Sequence, residues 1–404
     1  MMDIFSAIKI SEHVYWVGAI DWSIRDFHGY TTPHGSTYNA YLVMADKITL
    51  IDTVKAPFMD EMMARIASVI DPSTIDYIVS NHSEQDHSGC LLRVIDQVKP
   101  VKVFASTMGV KTLKDIFHDD YAIQPVKDGE TLSLGNMDLK FMEARMIHWP
   151  DSMFSYLEKD GVLFSQDAFG MHLATMERFA DELPADVLTY EAATYYANIV
   201  LPYSPVVLKA LEKVAATGWA IKIFAPDHGP VWRKDLGFIL NLYKKWARQK
   251  PANKAVVVYA TMWHSTEKMA KAIAESMARE GIQVRLLSMN DVHRSEVVYE
   301  VLDAGALIVG SSTLNNNMLP QMADVMTYLK GLKPANLIGA AFGSFGWSGE
   351  SVKDLEAILK EMKVDILAEA ISVKHVPDKD VLGKCSELGK VIAAELKKRT
   401  AEGL

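Results

Sequence analysis

The chain has 404 residues, room for two or three domains at about 150 residues each. Hydrophobic residues are 49% and charged residues 23%, ordinary globular usage that excludes a disordered, collagen-like or coiled-coil chain. Lys+Arg 42 against Asp+Glu 51 leaves a net charge of −9, which argues against a nucleic-acid binder and against docking on an anionic membrane surface.

Cysteine narrows the metal chemistry. Cys90 and Cys385 are the two cysteines, too few for a disulfide framework, a four-thiolate zinc site or an iron–sulfur cluster. Any metal must therefore use histidine and carboxylate ligands. Met1 to Ile8 has no basic region leading into an apolar stretch, so no signal peptide is expected. No window approaches the ~18 apolar residues of a membrane span, and the reducing cytoplasm is the expected location.

In chain order, HVYWVGAI and TYNAYLVMADKITLIDT read as strands, and PFMDEMMARIASVI reads as a helix. TIDYIVS is a further strand, followed after a polar loop by the helix CLLRVIDQV. MDLKFMEARMI and MFSYLEKDGVLFSQDAF are strands again, with Asp160-Gly161 at a hairpin turn. Mixed meanders with helices outside predict an αββα sandwich of two sheets over residues 1–250. ARQKPANK, Ala247 to Lys254, is a polar linker around Pro251. Beyond it KAVVVYAT, IQVRLLSM, ALIVGSST and NLIGAAFGSF alternate with amphipathic helices, and EAISVKHVP supplies a fifth strand. That alternation predicts a doubly wound, five-stranded parallel sheet over residues 251–404.

The strongest chemical signal is the loop Asn81-His82-Ser83-Glu84-Gln85-Asp86-His87-Ser88-Gly89, at the carboxyl end of a strand. A strand-to-helix turn needs one capping group, Asp86 or Ser88, but not two imidazoles and two carboxylates in six positions. His148, Asp167 and His228 each follow a later strand, where loops of an α/β fold converge. Seven ligands suffice for two metals at the ~3.5–4 Å spacing of binuclear sites. His82, Glu84 and His148 go to one metal and Asp86, His87 and His228 to the other. Asp167 bridges, one oxygen to each.

This pattern resembles the metallo-β-lactamase superfamily, whose motif is His-x-His-x-Asp-His with a later His, Asp and His. Here Glu84 stands where the zinc hydrolases carry their second histidine. A hard, charged oxygen ligand favours redox-active iron over zinc.

In the second half, Thr261, Met262, Trp263, His264, Ser265 and Thr266 form the loop between the first strand and its helix, a phosphate site or simply a capped turn. Neither a dinucleotide fingerprint nor a Walker motif is present. The arrangement resembles flavodoxin, in which this loop holds the FMN phosphate and loops after the third and fourth strands enclose the ring. The matching positions are Ser312, Thr313, Asn315 and Asn316, then Ser344, Phe345, Gly346, Trp347 and Gly349. Phe345 and Trp347 are aromatics able to stack on a flat ring.

Together the halves resemble the flavodiiron proteins over the whole chain, with Trp22 to Tyr30, His148 to Met153 and Asp167 to His172 as further matching segments. The resemblance implies FMN, two non-haem irons, and reduction of dioxygen to water, of nitric oxide to nitrous oxide, or both. Electron counting agrees, since a di-ferrous pair and a fully reduced FMN together hold the four electrons that dioxygen takes. His28, Tyr30, His172 and Tyr196 are expected near the substrate as hydrogen-bond or proton donors. The resemblance also implies a head-to-tail homodimer, or a dimer of dimers, with Trp149 and Asp151 along the interface. Rubredoxin is the expected electron donor and a reduced deazaflavin the alternative. The competing reading is a di-metal hydrolase of the thioesterase or lactamase type with an appended flavodoxin-like domain.

Overall fold

The computed structural model describes residues 5–118 and 121–401, so the first four residues of the start read as leader-free lie outside it. By internal contacts the chain divides into two units, Met1–Tyr195 with Pro205–Lys244, and Tyr196–Ser204 with Lys245–Leu404.

In the first unit, alternation sorts each strand between two cores. From strands Tyr41–Val43, Thr49–Ile51, Tyr77–Ser80 and Lys102–Ser106, the side chains of Tyr41, Val43, Ile51, Val79 and Phe104 enter one core. Leu42, Leu50, Ile78, Val103 and Ala105 enter the other, against Met62 and Ile66 of helix Met59–Ala67 and Leu91 and Val94 of helix Leu91–Val98. Both faces are covered, which is why these strands read as almost unbroken apolar runs. The sheet has seven strands, with Ile8–Lys9 and Val14–Trp16 before these four and Ile123–Val126 after them. A five-stranded sheet, Thr131–Ser133, Asp138–Glu143, Met153–Leu157, Val162–Gln166 and Ile223–Pro226, closes the first core with Leu139, Phe141, Leu157 and Phe164. Helices Ser204–Ala216 and Leu236–Arg248 cover its outer face, where Val207 and Tyr243 meet Phe154 and Phe169. The hairpin turns where Asp160-Gly161 stands: Leu157 pairs with Val162, and Gly161 takes φ 70°, a conformation that favours glycine.

The second unit is a parallel sheet in the order Gln283–Ser288, Lys254–Ala260, Ala306–Leu314, Ile338–Phe345. Its fifth strand is in two pieces, Asp365–Ile366 and Ile371–Lys374, both paired with Ile338–Phe345. Met269 and Ile273 of helix Ser265–Arg279, with Leu388 and Ile392 of helix Lys379–Ala401, pack on Val257, Ile308 and Ala340. The excursion Tyr196–Ser204 belongs to this unit, a departure from a single cut at 250. It packs against helices Arg294–Val301 and Pro320–Leu332, and the Tyr328 hydroxyl donates to Asn198 Oδ1 at 3.0 Å. Among the described residues no helix is long and apolar enough to cross a membrane.

Candidate metal centre and flavin cleft

The loop after strand Tyr77–Ser80 is pinned before any metal is considered. Asn81 donates its backbone N–H to Asp52 Oδ1 at 2.6 Å and its amide to Asp52 Oδ2 at 2.7 Å. Its side-chain oxygen accepts from the Ser155 hydroxyl, which ties the loop to the facing sheet. One helical turn, Gln85–Ser88, then carries Asp86 and His87. Thr53 donates both N–H, at 3.1 Å, and hydroxyl, at 2.5 Å, to the His87 carbonyl. Neither Asp86 nor Ser88 caps helix Leu91–Val98, whose first position is held by Cys90 with no side-chain cap. Helix capping therefore does not account for these polar residues.

All seven candidate ligands meet in one buried cluster, with Asp167 at its centre. Asp167 Oδ2 lies 3.1 Å from His82 Nε2 and 3.0 Å from His148 Nε2, and Glu84 Oε2 lies 3.0 Å from the same His148 nitrogen. On the other side, Asp167 Oδ1 lies 3.7 Å from His87 Nε2 and 3.5 Å from His228 Nε2. Asp86 Oδ2 is 3.3 Å and 3.2 Å from those two nitrogens. One carboxylate thus presents one oxygen to each of two triads.

The donor set fits cations. Both ring nitrogens of His82 and both oxygens of Asp86 and of Asp167 are buried without a hydrogen-bond partner, a costly state that bound cations relieve. His87 Nε2 and His228 Nε2 stand 3.0 Å apart, two ring nitrogens that need something positive between them. Electrostatics point the same way. Burial alone would raise Asp167, yet His82 and His148 hold it well below the usual carboxylate range. Burial alone would lower His148, yet Asp167 and Glu84 push it up to about 9. Protons are drawn to where metal ions would sit.

Of the expected neighbours, His28 contacts Glu84 Oε1 through Nε2, fixing the carboxylate whose other oxygen faces His148. His172 lies ring to ring with His228 at 4.5 Å and with Tyr30 at 5.7 Å, so both reach the site's edge. Burial and the neighbouring His228 hold the His172 ring well below its ordinary value, hence neutral. Tyr196 lies elsewhere: its hydroxyl bonds Ser204 Oγ at 3.0 Å and its ring packs on Trp246 at 5.3 Å. The preceding residue, Tyr195, faces the site instead, 5.1 Å from His172 and 6.0 Å from His228. Successive helical residues point about 100° apart, so one step of register separates the two. Asp151, expected along an interface, is wholly buried and accepts from the Ser83 hydroxyl.

The sequence reading missed Asp227. Its Oδ2 lies 3.5 Å from His82 Nδ1 and 3.7 Å from His87 Nδ1, the outer nitrogens of one histidine in each triad. Metal-bound histidines regularly turn their outer nitrogen to a carboxylate, but here the carboxylate and its two histidines lie far apart in the chain. His228 itself donates from Nδ1 to the Thr37 carbonyl at 2.6 Å.

The second unit carries a cleft of about 510 Å³ at the carboxyl ends of its strands. Met262, Trp263, Ser265, Ser312, Thr313, Asn315, Asn316, Ser344, Phe345, Gly346 and Trp347 line it, as do Leu314 and Ser348 of the same loops and the unforeseen His375 and Val376. Thr261, His264, Thr266 and Gly349 do not line it. His264, at φ 63°, occupies the cap position of helix Ser265–Arg279 without a side-chain cap and pairs with Glu267. Thr266 is buried beneath the cleft, its hydroxyl 3.0 Å from Ser312 Oγ and 2.9 Å from Ser344 Oγ, joining all three loops. A Cβ at Gly349 would stand 3.1 Å from the Phe345 ring, so this glycine lets that ring settle. The cleft fits a flavin phosphate and ring: Ser265 lines it at an uncapped helix N-terminus, and Trp263 and Trp347 are 86% and 90% exposed.

A two-sheet sandwich with a dinuclear histidine–carboxylate centre, followed by a flavodoxin-like sheet with an apolar cleft, defines a metal- and flavin-dependent redox protein. The family model described as ODP family beta lactamase matches residues 37–229, and that for flavodoxin matches residues 257–389. The chain is 48% identical to a rubredoxin-oxygen oxidoreductase of Megalodesulfovibrio gigas, across 98% of this chain and 99% of that one. It is 43% identical to a nitric oxide reductase of Moorella thermoacetica, across 96% and 98%. The crystal structure of the flavodiiron protein from Giardia intestinalis superposes with a TM-score of 0.93 at 35% identity, covering 98% of each chain. The chain belongs to the flavodiiron protein family. Membership supplies two non-haem irons for the histidine–carboxylate cluster and FMN for the flavodoxin-like unit.

Proposed function

We propose that this flavodiiron oxidoreductase reduces dioxygen to water, nitric oxide to nitrous oxide, or both, with the metals held within residues 1–250 and FMN within residues 251–404. The observation that carries the reading is Asp167, whose two oxygens face two separate triads. When bound, the irons supply paired redox-active cations that take up a diatomic molecule, and FMN supplies further electrons.

The chain's own groups divide the remaining work. His82, Glu84 and His148 hold one metal, Asp86, His87 and His228 the other, and Asp167 spans them. His28 orients Glu84 through the carboxylate oxygen turned away from His148. Asp227 fixes the outer nitrogens of His82 and His87. Tyr195 keeps its hydroxyl proton, because burial and the nearby Asp167 charge raise it well above its ordinary value, so it serves as a donor where Tyr196 was expected. In the second unit, the first turn of helix Ser265–Arg279 takes the phosphate, and Trp347 stacks on the ring.

Electrons enter from a separate donor, rubredoxin, with a reduced deazaflavin as the alternative. Supporting this, the Megalodesulfovibrio relative carries that donor in its name. We place the protein in the cytoplasm, where thiols stay reduced, consistent with two free, buried cysteines. A head-to-tail homodimer, or a pair of such dimers, would set each flavin before a partner's metals; light scattering at falling concentration tests it.

The decisive test is metal and flavin analysis after anaerobic purification, then stopped flow of the reduced protein against each gas. About two irons and one FMN per chain are expected, with rapid reoxidation by at least one gas. Two zinc ions, no iron and thioester cleavage would overturn the assignment in favour of a hydrolase.

A further inference from the structure

Reduction of dioxygen to two waters consumes four protons with its four electrons, and coupling two nitric oxide molecules consumes two of each. A centre whose ligands are all buried needs a route by which those protons arrive. Several buried ionisable groups take no part in holding metal or flavin, and among them Glu191 pairs with a solvent-exposed histidine.

Glu191 lies on helix Ala185–Tyr195, its side chain only 5% exposed. Its Oε1 meets Nδ1 of His34, whose ring is 57% exposed to solvent. Glu191 also borders a tight crevice, too small to admit a water molecule, with Tyr30, Thr194, Tyr195 and His172. At the inner end, His172 Nε2 is buried without a hydrogen-bond partner, and its ring stands 4.5 Å from that of His228. The Ser36 hydroxyl is directed to the Thr37 carbonyl at 3.2 Å, so His172 Nδ1 donates to Ser36 Oγ at 2.6 Å. Nε2 is thereby left as an acceptor. A buried carboxylate with one half-exposed partner is an expensive way to build a helix contact. As one end of a chain reaching from water to His228, it has a use.

We propose that Glu191 is the proton entry of the metal centre, loaded by His34 at the surface and discharging across the crevice towards His172. This rests on the gas-reducing function proposed above. In each transfer the Nδ1–H bond of the His34 ring breaks and an O–H bond forms on Glu191, while water supplies a proton to the ring's Nε2. Glu191 then gives that proton inward and returns to carboxylate. One proton moves per electron accepted. The ionisable groups facing Glu191 are His34 from the loop after Thr32, Tyr30 from the preceding strand, His172 from the segment after Asp167, and Tyr195 from its own helix. Burial raises the Glu191 carboxyl above its ordinary value despite His34, so it can hold a proton nearer neutral pH than a surface glutamate. Glu191 is a positioning residue, acting on the substrate only through the groups between.

The test uses holoenzyme with confirmed iron and FMN, as wild type, Glu191→Gln, Glu191→Asp and His34→Asn. The first readout needs no gas: proton uptake, followed with an indicator dye, as the protein is reduced anaerobically. The second is the pH profile and solvent deuterium isotope effect of reoxidation. Glu191→Gln is expected to slow uptake and reoxidation on the order of 100-fold, the low end of a positioned proton donor's contribution, and to raise the isotope effect. Glu191→Asp is expected to restore much of the rate, and His34→Asn to cost less than Glu191→Gln. Uptake and isotope effect unchanged in Glu191→Gln would overturn the proposal, as would equal loss in Glu191→Asp, which marks a merely structural role. Holoenzyme that reduces neither gas would sink the functional reading, while proton uptake on reduction still reports on the route.

Discussion

The metal centre and the flavin cleft solve opposite problems. The centre is buried, and half of its ligands' polar atoms lack partners within the protein. Its ligands come from four separate strand ends, so the fold must already be complete before the triads exist. The cleft is open, bounded by exposed Trp263 and Trp347, and beneath it the Thr266, Ser312 and Ser344 hydroxyls bond one another. An unfilled cation cluster leaves costly orphaned groups, whereas an unfilled flavin cleft mainly leaves apolar surface in water. Losses at the two sites should therefore differ in size and in kind.

The sharpest way to break that contrast is Asp167→Ala, which removes the one side chain shared by both triads. Iron is expected to fall from about two per chain towards none, with gas reduction lost and FMN retained. Elemental analysis beside flavin absorbance checks both halves at once. Retention of one iron would show that the triads are independent. Next in size is Asp227→Asn, which keeps shape but replaces with an amide the carboxyl group facing the outer nitrogens of His82 and His87. Loss of such an outer partner typically costs 10–100-fold in metal affinity. Competition with a chelator of known strength reads it, and unchanged affinity at both sites would refute the role.

These two residues also mark what could be read from the sequence. Asp167 was legible, because carboxylates and imidazoles gathered at strand ends beside the His82 to His87 loop suit metal binding and little else. Asp227 was not, because its role depends on Nδ1 atoms of His82 and His87, brought to it from a distant part of the chain. The sandwich and the doubly wound sheet followed from period-2 alternation and unbroken apolar runs. The choice between Tyr195 and Tyr196 turned on helical register, which apolar patterning does not fix when both neighbours are buried. Asp151 was expected along an interface, beside His148; the loop instead folds inward so that it can hold Ser83. His375 and Val376 follow the second piece of a divided fifth strand, so their arrival at the cleft depended on where that strand ended.

At the flavin cleft the expected effects are smaller, since several contacts share the ligand. Trp347 is 90% exposed without flavin, so replacing it disturbs little of the protein's own packing. An aromatic pair contributes about 0.5–1.5 kcal/mol beyond its buried area. Trp347→Ala is therefore expected to weaken FMN binding by roughly 2- to 12-fold, at about tenfold per 1.4 kcal/mol. Iron content should stay at the wild-type level, because no metal ligand touches this cleft. Fluorescence titration of the deflavinated protein with FMN measures the first quantity and metal analysis the second. A loss of iron alongside FMN would show that the two centres stabilise each other, and the contrast between a self-contained buried cluster and an open, shared cleft would then fail.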